Sequence, residues 1–301
     1  MPQVGLMLPT AAPDARADTA VTFARAAEVA GLHSVWIIDR LVFDNVEPLL
    51  ALGAVAAVTT RVRLGTSVLL GTLRPPALLA KQVATLDVLS GGRVILGLGV
   101  GSRPDDFAAA GVPYAARGAR LAETMRVLRQ VWRGGPVQHE GRAYQLDVGR
   151  VGPRPLQPGG PPLWLGGSAD AALRRAGRLA DGYIGTSSGG PDGLLRAAGT
   201  VREAATAAGR DPAAVKLGCL VWASVNDDQA RADECAAAYM RHYYPPARQG
   251  VPASSLVGPP ALCVERAQEY FAAGVDVLIV GPVTTDPAHL DRLLGEVLTR
   301  L

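Results

Sequence analysis

Two glycines and a serine, in Leu165-Gly166-Gly167-Ser168-Ala169-Asp170, stand where a short apolar run gives way to a helical pattern. Glycines let backbone approach an anion closely. The first free N–H groups of the following helix, and its positive dipole end, then point at that anion, with the Ser168 hydroxyl as a further donor. The same residues also suit a tight turn in which Ser168 caps the helix. A second turn of this kind is Gly185-Thr186-Ser187-Ser188-Gly189-Gly190. Asp39-Arg40 ends another apolar run. An arginine is no base near neutral pH, but it can hold an anionic substrate or steady developing negative charge. A local ion pair between the two side chains is the plainer reading. Asp105 and Asp106, in Gly101-Ser102-Arg103-Pro104-Asp105-Asp106, read as solvated loop carboxylates. Of the four histidines, His33, His139 and His289 fall at surface or capping positions, whereas His242, heading His242-Tyr243-Tyr244, can donate a proton.

Several chemistries are excluded by what is missing. There is no Gly-x-Ser-x-Gly, no His-Glu-x-x-His and no Walker A run. Cys219, Cys235 and Cys263 are far apart with no Cys-x-x-Cys, so neither a metal site nor a disulfide framework is expected, only reduced thiols. The 30 basic and 27 acidic side chains leave a formal charge of +3 with Arg scattered, which argues against a nucleic-acid partner. No apolar stretch approaches the roughly 20 residues of a membrane helix. The N-terminus lacks the basic start and cleavage site of a signal peptide. A cytoplasmic protein acting on a small molecule is expected.

The elements that must position these residues alternate regularly. Strands are predicted near 3–8, 34–38, 62–70, 93–99, 163–166, 181–185, 215–223 and 276–280. Helices are predicted near 18–30, 47–58, 77–89, 117–132, 169–179, 192–208, 261–273 and 286–300. Val94-Ile95-Leu96-Gly97-Leu98 and Val277-Leu278-Ile279-Val280 are apolar almost throughout, as a parallel sheet buried on both faces requires. Eight such units with no Gly-x-Gly-x-x-Gly after the first strand predict a closed (β/α)8 barrel, a TIM barrel, over residues 1–301 as a single domain. Residues 134–162, with a hairpin around 138–146, and residues 224–260, with a helix near 226–241, are insertions too poor in apolar residues to be domains. In such barrels the site forms at the C-terminal strand ends. That selects Thr10, Asp39-Arg40, residues 67–70, 101–106, 166–168 and 185–187, Trp222 and Gly281.

The runs Arg61-Val62-Arg63-Leu64-Gly65-Thr66-Ser67-Val68-Leu69-Leu70, Arg74-Pro75-Pro76-Ala77-Leu78-Leu79-Ala80-Lys81-Gln82 and, above all, Leu89-Ser90-Gly91-Gly92-Arg93 leading into Val94-Ile95-Leu96-Gly97-Leu98-Gly99-Val100-Gly101 resemble the luciferase-like monooxygenase superfamily. The resemblance extends to Gly166-Gly167-Ser168 and Ala273-Gly274-Val275-Asp276, and so covers essentially the whole chain. It implies a barrel that uses the deazaflavin coenzyme F420, with FMN as the alternative, and a homodimer. It implies a non-proline cis peptide at Ser67-Val68 behind the cofactor ring, a phosphate at Gly166, Gly167 and Ser168, and cofactor contacts from Asp39, Gly101 and Ser102. Two positions depart from the family's dehydrogenases. Arg40 stands where a basic His is usual, and Ser102 stands where some sugar-phosphate dehydrogenases carry an acidic Glu. Alcohol oxidation by proton abstraction is thereby put in doubt. Hydride transfer from reduced F420 to an unsaturated substrate suits the site better, and a homologue that binds flavin without turnover is the other alternative. Residues 224–260 are expected to cover the mouth, with His242 a candidate proton donor beside Asp39 and Arg40.

Overall fold

The computed structural model describes residues 3–244, 246 and 250–301. Strands β1 (Gln3–Met7), β2 (Ser34–Ile37), β3 (Arg63–Thr66), β4 (Leu69–Leu70) and β5 (Val94–Gly99) open the barrel, and β1, β2, β3 and β5 are parallel neighbours in that order. An antiparallel hairpin, β6 (Val137–Glu140) with β7 (Gln145–Val148), follows where residues 138–146 predict one. The barrel resumes with β8 (Leu163–Gly166), β9 (Gly182–Thr186), β10 (Lys216–Val225) and, past the short β11 (Leu256–Gly258), β12 (Val277–Pro282). Parallel pairing of β12 with β1 closes the ring. The TIM-barrel fold is therefore the one the alternation predicts.

Helices α1 (Thr19–Val29), α2 (Pro48–Val58), α3 (Pro76–Leu89), α5 (Arg117–Arg133), α6 (Asp170–Leu179), α7 (Gly190–Ala207) and α9 (Pro260–Ala272) follow the predicted segments closely. The predicted 286–300 helix is α-helical only as α10 (Pro287–Arg292), then loosens into a π turn and a final 3-10 turn. Two elements were not foreseen. One is β11, three residues added to the far end of β10. The other is α4 (Pro104–Ala109), in what reads as a loop; Pro104 at its first turn is the signal that marks it. The predicted insertion helix is α8 (Gln229–Tyr243), capped by the Asp228 carboxylate on the amides of Ala230 and Arg231.

Two tryptophans fill the barrel interior. Trp36 and Trp164 are buried with ring centroids 5.7 Å apart. Trp36 donates from Nε1 to Ser34 Oγ at 2.8 Å. A Cβ on Gly5 or Gly65 would lie within 2.9 Å of Trp36, and one on Gly182 or Gly218 within 2.7 Å of Trp164. These glycines are the space that the indoles occupy.

The Leu-Ser-Gly-Gly-Arg run, the most specific part of the resemblance, lies at the opposite end from the mouth. Arg93 donates to the carbonyls of Ser90, Ala56, Thr59 and Val62 and to Thr59 Oγ1, at 2.6–3.2 Å. It thus ties the ends of α2 and α3 to the start of β3. Arg93→Met, which keeps the stem and removes the head, leaves those carbonyls unpaired. It is expected to cost about 2–4 kcal/mol, read as a lower urea midpoint at unchanged slope. Unaltered cofactor affinity in the same variant would mark the role as architectural.

Candidate active site at the barrel mouth

Asp39 and Arg40 both lie just past β2 and are both buried, yet they do not pair with each other. Asp39 accepts from the Leu70 amide at 2.8 Å and from Arg74 Nη1 at 2.6 Å. Its carboxylate therefore pins the point where the interrupted third barrel strand restarts. Burial works against the charge of Arg74, but Asp39 and then Glu47 outweigh it and raise its pKa. Arg40 turns instead to α4, donating from Nε to Asp106 Oδ2 at 3.0 Å. The expected local Asp39–Arg40 ion pair is thus replaced by two longer-range pairs.

Asp106 is the larger correction. It is not a solvated loop carboxylate: it is 1% exposed and also accepts from the amides of Leu41 at 3.0 Å and Val42 at 2.7 Å. The cause is α4, which carries it inward against the loop after β2. Asp105, by contrast, is exposed and lies 3.6 Å from Arg40 Nη2.

Between β3 and β4 the Ser67-Val68 peptide is cis, as the resemblance implies. Ser67 is buried and donates its amide to the Ile37 carbonyl at 2.8 Å. Val68 stays partly exposed, between the ends of two other strands. A Cβ on Gly99 would meet Val68 Cγ2 at 2.4 Å, and one on Gly166 would meet Cγ1 at 2.8 Å. The glycines at these two strand ends thus make room for an apolar knob in the mouth.

Beyond Gly166 the chain turns through Gly167, at φ +134°, into α6. The helix cap is Ala169, without a side-chain cap, so Ser168 is not the N-cap. Among the described residues, the amides of Ser168, Ala169, Asp170 and Ala171 donate no hydrogen bond, and the Ser168 hydroxyl has no partner. Asp170 in the first turn is held by Arg174 at 2.8 Å. Gly101, at φ +80°, lies against Phe107, and the carbonyl of the exposed Ser102 accepts from Tyr114 Oη at 3.2 Å.

The insertion crosses the mouth as expected. Trp222, Tyr239, Tyr243 and Tyr244 form a contiguous aromatic group with centroid separations of 4.7–6.4 Å. Phe43, from the loop after β2, meets Tyr243 edge-on at 5.3 Å. Arg103 latches this cover: its guanidinium lies over Tyr243 at 5.1 Å and donates to the Tyr243 carbonyl at 2.6 Å. Burial, then the neighbouring charge of Arg40, holds the Arg103 pKa below its ordinary value. Sequence reasoning passed over Arg103 and Phe43, because neither carries a motif of its own.

His242 is exposed, its ring edge against Phe43 at 5.3 Å, with no hydrogen-bond partner among the described residues. His289, expected at the surface, is buried, with Nε2 accepting from the Val225 amide at 3.0 Å. His33 is partly buried, and its surroundings, burial first and then Arg63, push its pKa down to about 4. His139, on strand β6 of the hairpin, lies 3.4 Å from Glu123 of α5. Among the described residues no helix is long and apolar enough to cross a membrane.

Two buried polar atoms at the strand ends lack a partner among the described residues, Thr10 Oγ1 and Arg40 Nη1. Unmatched donors and acceptors in a buried site are costly unless a ligand meets them. The mouth therefore combines free amides, an apolar knob, unsatisfied polar atoms and an aromatic cover, a donor set that fits a flat, phosphate-bearing cofactor with a substrate above it.

Comparison with known proteins identifies the family and the fold. The F420-dependent glucose-6-phosphate dehydrogenase of Kineococcus radiotolerans is 40% identical over 226 residues, 70% of this chain and 65% of the relative, so the alignment spans just under two thirds of that protein. The F420-dependent tetrahydromethanopterin reductase structure from Methanopyrus kandleri superposes with a TM-score of 0.82 at 22% identity, covering 99% of both chains. The FMN complex of the oxygenating constituent of 3,6-diketocamphane monooxygenase from Pseudomonas putida gives 0.80 at 20% identity, covering 100% of this chain and 99% of the other. These two likenesses speak to the fold. The family is settled by the match of residues 2–277: the chain belongs to the luciferase-like monooxygenase family.

Proposed function

We propose that the protein is an F420-dependent oxidoreductase in which hydride passes between the deazaflavin and a small organic substrate under the α8 cover. The observation that carries this reading is the run of undonated amides at Ser168, Ala169, Asp170 and Ala171 beside the Val68 knob. In this reading the amides, with Gly166, Gly167 and the Ser168 hydroxyl, hold the phosphate. Val68 backs the ring, Ser67 and Asp39 hold the loop behind it, and Gly101 and Ser102 border it. When bound, the deazaflavin supplies a two-electron hydride donor or acceptor. The chain supplies orientation, and the aromatic cover excludes water. With Arg40 in place of a base, the reducing direction is favoured, and an exposed His242 at the rim is the nearest imidazole for a proton relay.

Two further arginines favour F420 over FMN. Arg175 on α6 reaches the start of α5, within 2.7 Å of where a Gly118 Cβ would lie, and Arg117 covers the Tyr114 ring at 3.8 Å. Arg175, on the helix that begins at the phosphate turn, and Arg117, at the start of α5, offer positive charge for the acidic tail that F420, unlike FMN, carries. Fluorescence titration of the purified protein with F420 and with FMN tests the reading. Tighter binding of F420 is expected, and nanomolar FMN binding with none of F420 would overturn it.

Two copies are proposed to pair through α2. That helix, Pro-Leu-Leu-Ala-Leu-Gly-Ala-Val-Ala-Ala-Val, carries no charged residue, although a surface helix normally has a polar face. Leu50 is 78% exposed, and Leu41, Val42 and Leu78 are exposed apolar side chains as well. Small Gly53, Ala54 and Ala57 let an identical helix approach closely in a two-fold contact. Leu50→Glu is expected to convert a dimer to a monomer in light scattering, and a monomeric parent would end this assignment.

A further inference from the structure

Arg40 is 8% exposed, and its guanidinium is only partly used. Nε donates to Asp106 Oδ2 at 3.0 Å, and Nη2 donates to the Val42 carbonyl at 2.9 Å with Asp105 at 3.6 Å. Nη1, on the far edge of the same rigid fork, is buried and has no partner among the described residues. Phe43 lies 5.3 Å from the guanidinium carbon, and the charge of Arg40 adds to burial in holding the pKa of the neighbouring Arg103 below its ordinary value. A buried donor left open at a strand end of the mouth, beside the Phe43 ring, is a place for an acceptor atom of the substrate.

The charges around it decide which acceptor. Arg40 and Arg103 bring two cations, and Asp105 and Asp106 bring two carboxylates, both on Arg40. The local charge is already balanced. A substrate carboxylate at Nη1 would add uncompensated negative charge to a desolvated site, which is strongly disfavoured. A neutral carbonyl oxygen accepts the same N–H at no such cost, and the hydrogen bond is charge-assisted.

Resting on the oxidoreductase reading above, we propose that Arg40 Nη1 donates to a neutral carbonyl oxygen of the substrate, making this enzyme selective for uncharged carbonyl compounds over carboxylates. For a conjugated carbonyl, hydride from the reduced deazaflavin bonds to the β-carbon. The C=C electron pair moves to form the enolate, whose oxygen Nη1–H holds, and a proton from water then closes the α-carbon. The substrate is reduced by two electrons, which the deazaflavin, when bound in its reduced form, would supply as the hydride. Holding the enolate oxygen through a fixed donor is the electrostatic stabilisation such a step requires.

The test uses the cofactor-free full chain and carbonyl-labelled probe pairs of one shape, acetamide with acetate and benzamide with benzoate, followed by calorimetry and by the carbonyl-carbon NMR shift. The amides are expected to bind at least about tenfold more tightly than the acids, with a downfield shift. Arg40→Lys keeps a cation on Asp106 but removes the free donor. It should lose the shift and about 10- to 100-fold in amide affinity, and Arg40→Met, if it folds, should do the same. Acids binding as tightly as amides, no amide binding, or amide binding indifferent to Arg40→Lys would each overturn the proposal. F420 titration of the same proteins separates it from the broader reading. If Arg40→Lys weakens F420 and leaves the amides alone, the donor serves the cofactor and this proposal fails while the function stands. If the parent binds amides as expected but no F420, the cofactor assignment falls and the carbonyl site remains.

Discussion

Asp106→Ala is expected to lower stability by about 3–5 kcal/mol, because it strands the buried Arg40 charge and two backbone amides at once. The carboxylate takes Arg40 Nε, Leu41 N and Val42 N, and no other acceptor of those three is present among the described residues. Thermal and urea unfolding read the loss directly. Asp106→Asn separates its parts, since the amide oxygen still serves Leu41 and Val42 while Arg40 keeps only the exposed Asp105 as counter-charge. That variant should stand nearer the parent in stability and should bind the carbonyl probes poorly, as Arg40 is no longer aimed. Equal stability of the parent and the alanine variant would mean that the loop after β2 is held by something else.

Gly167→Val should leave the barrel folded and weaken cofactor binding by about 10- to 100-fold. At φ +134° a side chain is strained, at roughly 1–3 kcal/mol. Its Cβ would also stand 2.9 Å from that of Ala172 in the first turn of α6. Relief comes only by turning the backbone, which re-aims the amides of Ser168 and Ala169 away from a common point. Ser168→Ala removes one hydroxyl and keeps the geometry, so a loss of only several-fold is expected. Titration with F420 followed by fluorescence gives both numbers. A valine variant that binds as well as the parent would show that the phosphate is held elsewhere.

The barrel was legible because its cause is local and repeated. Runs such as Val94-Ile95-Leu96-Gly97-Leu98 must be buried on both faces, and the parallel sheet answers that need. The strand-to-helix turn at Gly166, Gly167 and Ser168 was legible for the same reason, since the three are adjacent in sequence. Partnerships between distant residues were not. Asp39 reaches Arg74, and Arg40 reaches Asp106, 66 residues away, so adjacency in the chain suggested the wrong pair. Asp106 looked like a loop residue because α4 is six residues long, too short to show a helical period. The Leu-Ser-Gly-Gly-Arg run misleads in a different way. It is the most recognisable segment, yet its arginine braces the end of the barrel remote from the mouth.

The indoles of Trp36 and Trp164, wedged among Gly5, Gly65, Gly182 and Gly218, tie the identities of six positions together. No one of them can drift alone: a methyl on Gly65 strikes the Trp36 ring, and a smaller residue at 36 leaves a void beside two bare backbones. Lineages that change this floor should therefore do so by paired exchanges, bulk leaving position 36 as it appears at 5 or 65, and leaving 164 as it appears at 182 or 218. The mouth above carries the same coupling where Val68 faces Gly99 and Gly166 and where Trp222 faces Gly281, so substrate preference can diversify at the positions between them, on a floor that evolves only in couples.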